Sequence, residues 1–270
     1  MRRGNSLRIA LIVAITLYFA IPMIAMTRFA FQRTPVALLS LDNLTDNWTL
    51  QGLETALRQG ELHHAAWVSF QLAVLSVLLN LVLLLPAAIS AELYYPQFKG
   101  ALTLITLLPW VIPPIALVVG IAATFRNFAP WFLSSPLSLV PFYALTAMPF
   151  TYRALDAGLQ AISARTLNEA ARSLGAGTWT IMVRVLMPNI GAALIASSVL
   201  TIALVLGEFT FASLLLKNTL PTYMVVYQGS AARAGIALAL LVMVFTCVLL
   251  WFVVRLMRRR GLDMQAVGGV

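Results

Sequence analysis

Long apolar runs separated by short polar or basic stretches set the pattern of this chain. Six runs stand out, at about Leu7–Thr27, Ala66–Ala91, Ala101–Thr124, Leu137–Leu155, Ile190–Leu215 and Gly235–Met257. A helix needs roughly 20 residues to cross a bilayer core, and each run reaches or approaches that length. Lipid offers the backbone no hydrogen bonds, so chain segments cross it as helices or closed barrels. Runs this long and continuously apolar predict helices, which makes the chain an all-α polytopic membrane protein with six transmembrane helices. Several runs carry helix-breaking prolines, most densely the third and fourth. Pro109, Pro113 and Pro114 flank Trp110 in the third, and Pro141 and Pro149 lie in the fourth. Each removes a helix hydrogen bond and crowds the preceding turn, so kinks are expected there.

Composition agrees. Of 270 residues, 61% are hydrophobic and 10% charged, against roughly a quarter charged in a soluble domain. The net charge of +9 would suggest nucleic acid in a soluble protein, but the basic residues gather at the ends of apolar runs. Membrane lipid is their expected partner, and no nucleic acid is expected. Arg2, Arg3, Arg8, Lys99, Arg153, Arg165, Arg172, Arg184, Arg255, Arg258, Arg259 and Arg260 fall on one side. Arg28, Arg33, Arg58, Arg126, Lys217 and Arg233 fall on the other. The excess of basic residues marks the cytoplasmic side, which puts both termini in the cytoplasm. The first run is about twice the length of a signal h-region and lacks a small-x-small cleavage site, so it reads as a retained helix. The single cysteine, Cys247, sits in an apolar run. His63 and His64 close a polar outer loop from about Arg28 to Ala65, in which 51–60 suggests a surface helix. They sit beside Glu61, but adjacent helix residues point about 100° apart and the sequence has no other histidine, so no metal is expected.

The longest inward loop, 156–189, is the informative one. Thr166-Leu167-Asn168-Glu169 fits a capping box, Gly175 and Gly177 fit a left-handed helix end, and Thr178 is placed to cap a second helix that Pro188 ends. An alanine-faced helix, a glycine turn and a second amphipathic helix follow from this. No Gly-x-x-x-x-Gly-Lys-Ser/Thr phosphate loop occurs anywhere. A membrane enzyme would need convergent titratable groups, and the spans hold little beyond Glu208, Glu92 and Asp156.

Glu169-Ala170-Ala171, three residues, Gly175, nine residues, Val185, one residue, then Met187-Pro188 resembles the EAA loop of permease subunits of binding-protein-dependent ABC importers. Val185 and Met187 replace the family's Ile and Leu. The resemblance covers nearly the whole chain and is nearest to spermidine/putrescine-type permeases through Leu206-Gly207-Glu208-Phe209 and Ala212-Ser213-Leu214-Leu215. Permeases for iron, thiamine, sulfate and phosphonates share much of the same pattern. The resemblance implies a type I importer bundle in a bacterial inner membrane, with a cytoplasmic coupling helix. It further implies a second permease subunit of different sequence, a periplasmic substrate-binding protein, and a cytoplasmic ATPase dimer that binds the ATP and Mg. Glu169, Ala170, Ala171, Gly175 and Pro188 would then form the surface that docks on the ATPase. No cofactor is expected in this chain, and polyamines are the first expected cargo.

Helical spacing nominates pathway residues. Ser197, Thr201 and Glu208 fall on one stripe of the fifth run, as Ser69, Ser76 and Asn80 do in the second. Such stripes face a bundle interior or a cavity, because lipid-facing polar groups are costly. A self-sufficient secondary transporter is the rival reading, but the two halves of the chain show no repeat of the kind such proteins carry.

Overall fold

A computed structural model describes residues 2–34, 43 and 46–259, with the side chains of all but 2–7, 253 and 256–259. Positions 35–42, 44 and 45 of the expected outer loop, and Arg260 of the basic tail, lie outside the described residues. The described part is helical: α1 (Arg2–Phe31), α2 (Gln51–Leu57), α3 (Gly60–Leu93), α4 (Lys99–Val111), α5 (Pro114–Phe128), α6 (Pro130–Ser134), α7 (Leu139–Ala161) and α8 (Ala164–Ser173). After these come α9 (Thr178–Asn189), α10 (Gly191–Gly207), α11 (Thr210–Leu214), α12 (Leu220–Ser230) and α13 (Ala232–Arg259).

Three helices are long and apolar enough to span a membrane unaided, over Arg8–Phe31, Gly60–Leu93 and Ala232–Phe252. Two bent pairs qualify jointly: Pro96–Val111 with Pro114–Phe128, at 92°, and Thr178–Asn189 with Gly191–Gly207, at 75°. The expected third span is therefore two half-helices. Ile112 is extended (φ −88°, ψ 125°) and so is Pro113 (φ −56°, ψ 136°), the conformation that a following proline imposes. Pro114 then opens α5, where a missing N–H costs nothing. The expected fourth span corresponds to α7, whose 23 residues reach roughly 34 Å but include Arg153 and Asp156.

The chain divides into two compact units, Met1–His63 with Tyr223–Phe245, and His64–Thr222 with Thr246–Val270. In the first, Ala30, Ala237 and Leu240 form a small core with Met23, Phe31, Leu53 and Ile236 around it. Buried Gln32 donates from Nε2 to the carbonyls of Asn43 (2.8 Å) and Asp46 (2.9 Å), pinning the chain beyond α1.

In the second unit α7 is the hub, packed on α4 and α10. One core cluster joins Leu84, Ala88 and Ile89 of α3 to Tyr152, Leu155 and Leu159 of α7, Ala164 and Ala171 of α8, and Ile181 and Leu186 of α9. A second joins Val68 and Leu72 to Val118, Phe142 and Phe211. Between helices in lipid, small residues and close packing supply much of the attraction. Gly158 of α7 faces Ala193 of α10 so closely that an added Cβ would overlap the alanine methyl.

Candidate functional site

The first cluster supports α8, and the sequence of α8 shows why the helix lies flat on it. Ala164, Asn168 and Ala171, spaced four and three apart, are buried, while Glu169 and Ala170 are exposed. The helix starts three residues before the expected capping box. Ser163 adopts a left-handed conformation (φ 50°, ψ 54°) and makes no side-chain cap. Thr166 and Glu169 thus lie inside α8, and Glu169 caps nothing; burial of Ala164 fixes the start instead. Thr178 does not cap α9 either, since Gly177 occupies that position without a side-chain bond.

The glycine turn is as expected. Gly175 has φ +81°, its N–H bonds the Arg172 carbonyl (2.9 Å), and the Ala176 N–H bonds the Ala171 carbonyl (3.0 Å). These two bonds make a Schellman motif, which satisfies the last carbonyls of α8. Beyond the turn, Ile181–Leu186 of α9 form a π-helical stretch just before Pro188. Proline cannot bond to the carbonyl four residues back and its ring crowds it, and a wider turn relieves that conflict. The turn region leaves two large apolar side chains in the open, Leu174 at 88% exposure and Trp179 at 72%. Neither residue belongs to the spacing pattern that drew attention to this loop, so the sequence did not single them out.

Two arginines bind α8 to the end of α3. The Arg165 Nε donates to the Glu92 carbonyl (2.8 Å) and lies 3.3 Å from Glu92 Oε1. Arg172 donates to the Tyr94 hydroxyl (2.8 Å), its guanidinium 5.5 Å from the Tyr94 ring centroid, and reaches Thr178 Oγ1 at 3.4 Å. Lys99, at the start of α4, pairs with Glu92 and lies 3.3 Å from Asp156 Oδ1 of α7.

The nominated pathway residues are buried between helices. Ser76 Oγ reaches the Val140 carbonyl at 3.5 Å, and both polar atoms of Asn80 are buried without a hydrogen bond. Ser197 Oγ donates to the Leu194 carbonyl (3.0 Å), and Thr201 Oγ1 donates to the Ser197 carbonyl (2.9 Å) while lying 3.2 Å from Thr151 Oγ1 of α7. Thr201 thus joins α10 to α7, a usual helix–helix role of such groups, while Ser197 bonds within its own helix.

Glu208 departs from the stripe. Helix α10 ends at Gly207, Glu208 is extended (φ −82°, ψ 115°), and its carboxylate accepts from the N–H groups of Thr210 (2.8 Å) and Phe211 (3.2 Å). It caps α11, and helical spacing no longer relates it to Ser197 and Thr201. Nor does it pair with Lys217, which donates to the carbonyls of Leu133 and Ser134, the latter at 3.0 Å. Burial pushes the Lys217 pKa down.

Residues 84–261 match the model of the family described as binding-protein-dependent transport system inner membrane component. The putative 2-aminoethylphosphonate transport system permease protein PhnV of Salmonella paratyphi A is 25% identical over 242 residues, which cover 84% of this chain and 89% of the relative. The sulfate transport system permease protein CysW of Synechocystis is 32% identical over 212 residues, covering 70% of this chain and 76% of the relative. Among solved structures, a bacterial ABC transporter involved in the import of the acidic polysaccharide alginate has a subunit that superposes with a TM-score of 0.68 at 16% identity, covering 94% of this chain and 96% of that one. The alginate transporter in complex with an alginate pentasaccharide-bound periplasmic protein gives 0.62 at 20% identity, over 97% and 96%. These relatives carry phosphonate and sulfate names, and they lend no support to the expected nearness to spermidine/putrescine permeases.

Proposed function

The chain belongs to the family of binding-protein-dependent transport system inner membrane components, and from that premise we propose that it is a permease subunit of an ATP-driven importer, forming one half of a translocation pathway. The observation that carries the proposal is α8. This amphipathic helix is clamped to the bundle by Arg165 and Arg172 and presents Glu169 and Ala170 outward, with Leu174 and Gly175 exposed in the turn beyond it and Trp179 exposed on α9, whereas Ala171 of the expected docking set faces the core. An ATPase seated on that surface would push on a helix that is already tied to the ends of α3, α4 and α7. The excess of basic residues at this end of the spans supports a cytoplasmic position for α8 and for both termini. A second permease subunit, an ATPase dimer and a periplasmic binding protein complete the reading.

For the cargo, we propose a small oxyanion of the phosphonate or sulfate class. Two considerations support it: the names of the relatives, and the engagement of Glu208, the carboxylate on which a cationic cargo would draw, in capping α11. Reconstitution of the complete complex in vesicles, with radiolabelled 2-aminoethylphosphonate, sulfate, putrescine and spermidine, tests both parts. Uptake of an oxyanion that requires ATP and the binding protein is the expected result. ATP-independent uptake by this subunit alone would make it a secondary transporter, and uptake of the polyamines only would restore the first expectation from sequence.

A further inference from the structure

Glu92 is the most buried carboxylate described near α8, at 7% exposure, and it stands one residue before the end of α3. That is an unfavourable place for a negative charge, since the carbonyl end of a helix carries the negative pole of its dipole. The surroundings compensate for it. Lys99 of α4 pairs with one carboxylate oxygen, and Arg165 of α8 lies 3.3 Å from the other. The same Arg165 Nε donates to the Glu92 backbone carbonyl, one of the carbonyls that the end of a helix leaves unpaired. Lys99 in turn reaches Asp156 of α7. One buried carboxylate thus gathers cations from α4 and α8 and, through Lys99, connects to α7.

The other polar tie between α8 and the end of α3 is of another kind. Arg172 meets Tyr94 at an exposed position and through a neutral hydroxyl, so it can slide or re-form in water. A buried charge with its cations removed cannot, because leaving it unpaired is strongly unfavourable. The Glu92 cluster is the contact that must move as one piece.

We propose that Glu92 is a positioning residue for transport. It locks α8 to α3 and α4, so that displacement of the docking helix by an ATPase is passed to the spanning helices and not absorbed as sliding. The inference rests on the proposed function and names the internal link by which that site acts. Glu92 acts through Arg165 and Lys99.

The variants are Glu92→Gln, Arg165→Gln and the double substitution, each in the complete complex, with uptake of radiolabelled 2-aminoethylphosphonate and sulfate measured beside ATP hydrolysis in the same vesicles. Each variant should still co-purify with the ATPase, since Glu169, Ala170, Leu174 and Trp179 are unchanged, and should still hydrolyse ATP. Uptake per ATP hydrolysed should fall by a factor on the order of 5 to 150, the usual range for coupling between linked sites. The double variant should be little worse than Glu92→Gln, because both changes break the same contact. Arg165→Gln, which leaves Lys99 on Glu92, guards against a folding defect in the other single variant. Wild-type uptake per ATP in both single variants would overturn the inference while leaving the proposed function intact. Loss of ATPase co-purification in both would also overturn it, assigning the cluster to folding or docking. Failure of the wild-type complex to import either anion with ATP would remove the proposed function, and this inference with it.

Discussion

Gly158→Ala probes the seam on which α9 and α10 turn. The added methyl would point at the Ala193 Cβ and overlap it, while Ile190 Cβ and Cγ2 would stand at ordinary distances of 3.7 and 3.8 Å. Carbon atoms rest about 3.5–4.0 Å apart, and a Cβ cannot rotate out of the way, so the two backbones must part. Overpacking of this kind costs about 1–3 kcal/mol. Replacing glycine by alanine within a helix returns roughly 0.5–1 kcal/mol, which leaves a net destabilisation of about 1 kcal/mol. Ala193→Gly removes the opposing methyl, so the double variant should recover most of the packing loss. Reversible unfolding in mixed micelles, followed by helical circular dichroism, measures all four proteins of the cycle. The expected interaction energy is about 1–3 kcal/mol in favour of the pair. Gly158→Ala more stable than wild type, with no interaction energy, would show that α7 and α10 do not meet here and refute the packing argument.

Gly175→Ala meets no atom within 4 Å, so its cost is the positive φ alone, about 1–2 kcal/mol. Hydrogen exchange at Ala176 should accelerate, while Gly177→Ala, at φ −76°, should leave it unchanged. Trp179→Ala removes a side chain at 72% exposure, so thermal stability should hold. Affinity for the ATPase should fall by about 2 kcal/mol or more, as at an interface hot spot, read by co-purification across a dilution series. Glu208→Ala strips the cap from α11 and should lower stability by about 1 kcal/mol. Uptake assays should show an unchanged apparent affinity for cargo, whereas a large rise in half-saturation would return Glu208 to the pathway.

The long apolar helices and the glycine turn after α8 were visible in the sequence for one reason: their signals are local. Lipid demands long apolar runs, and α1, α3 and α13 follow from that alone. Gly175 was legible because the end of α8 needs a residue tolerant of positive φ. What stayed hidden depends on distant parts of the chain. The start of α8 is set by burial of Ala164 against α7 and α9 and not by Thr166, so a capping pattern pointed three residues too late. The proline cluster around Trp110 suggested a kink, but Pro113 followed by Pro114 forces two extended residues and a 92° break. Glu208 appeared to continue a polar stripe only because Gly207 does not announce a helix end in an apolar run. Glu92 and Arg165 are 73 positions apart, and nothing in either neighbourhood predicts the other. An acidic residue closing an apolar helix, against the helix dipole, was the available clue.

A photo-crosslinking residue in place of Leu174, in membranes containing the full importer, reports directly on what the open face of α8 meets. An adduct with the cytoplasmic ATPase, absent when the ATPase is left out, is the result expected here. An adduct with the periplasmic binding protein, or none with any subunit of the assembled complex, would contradict the assignment of α8 as the helix through which ATP drives this permease.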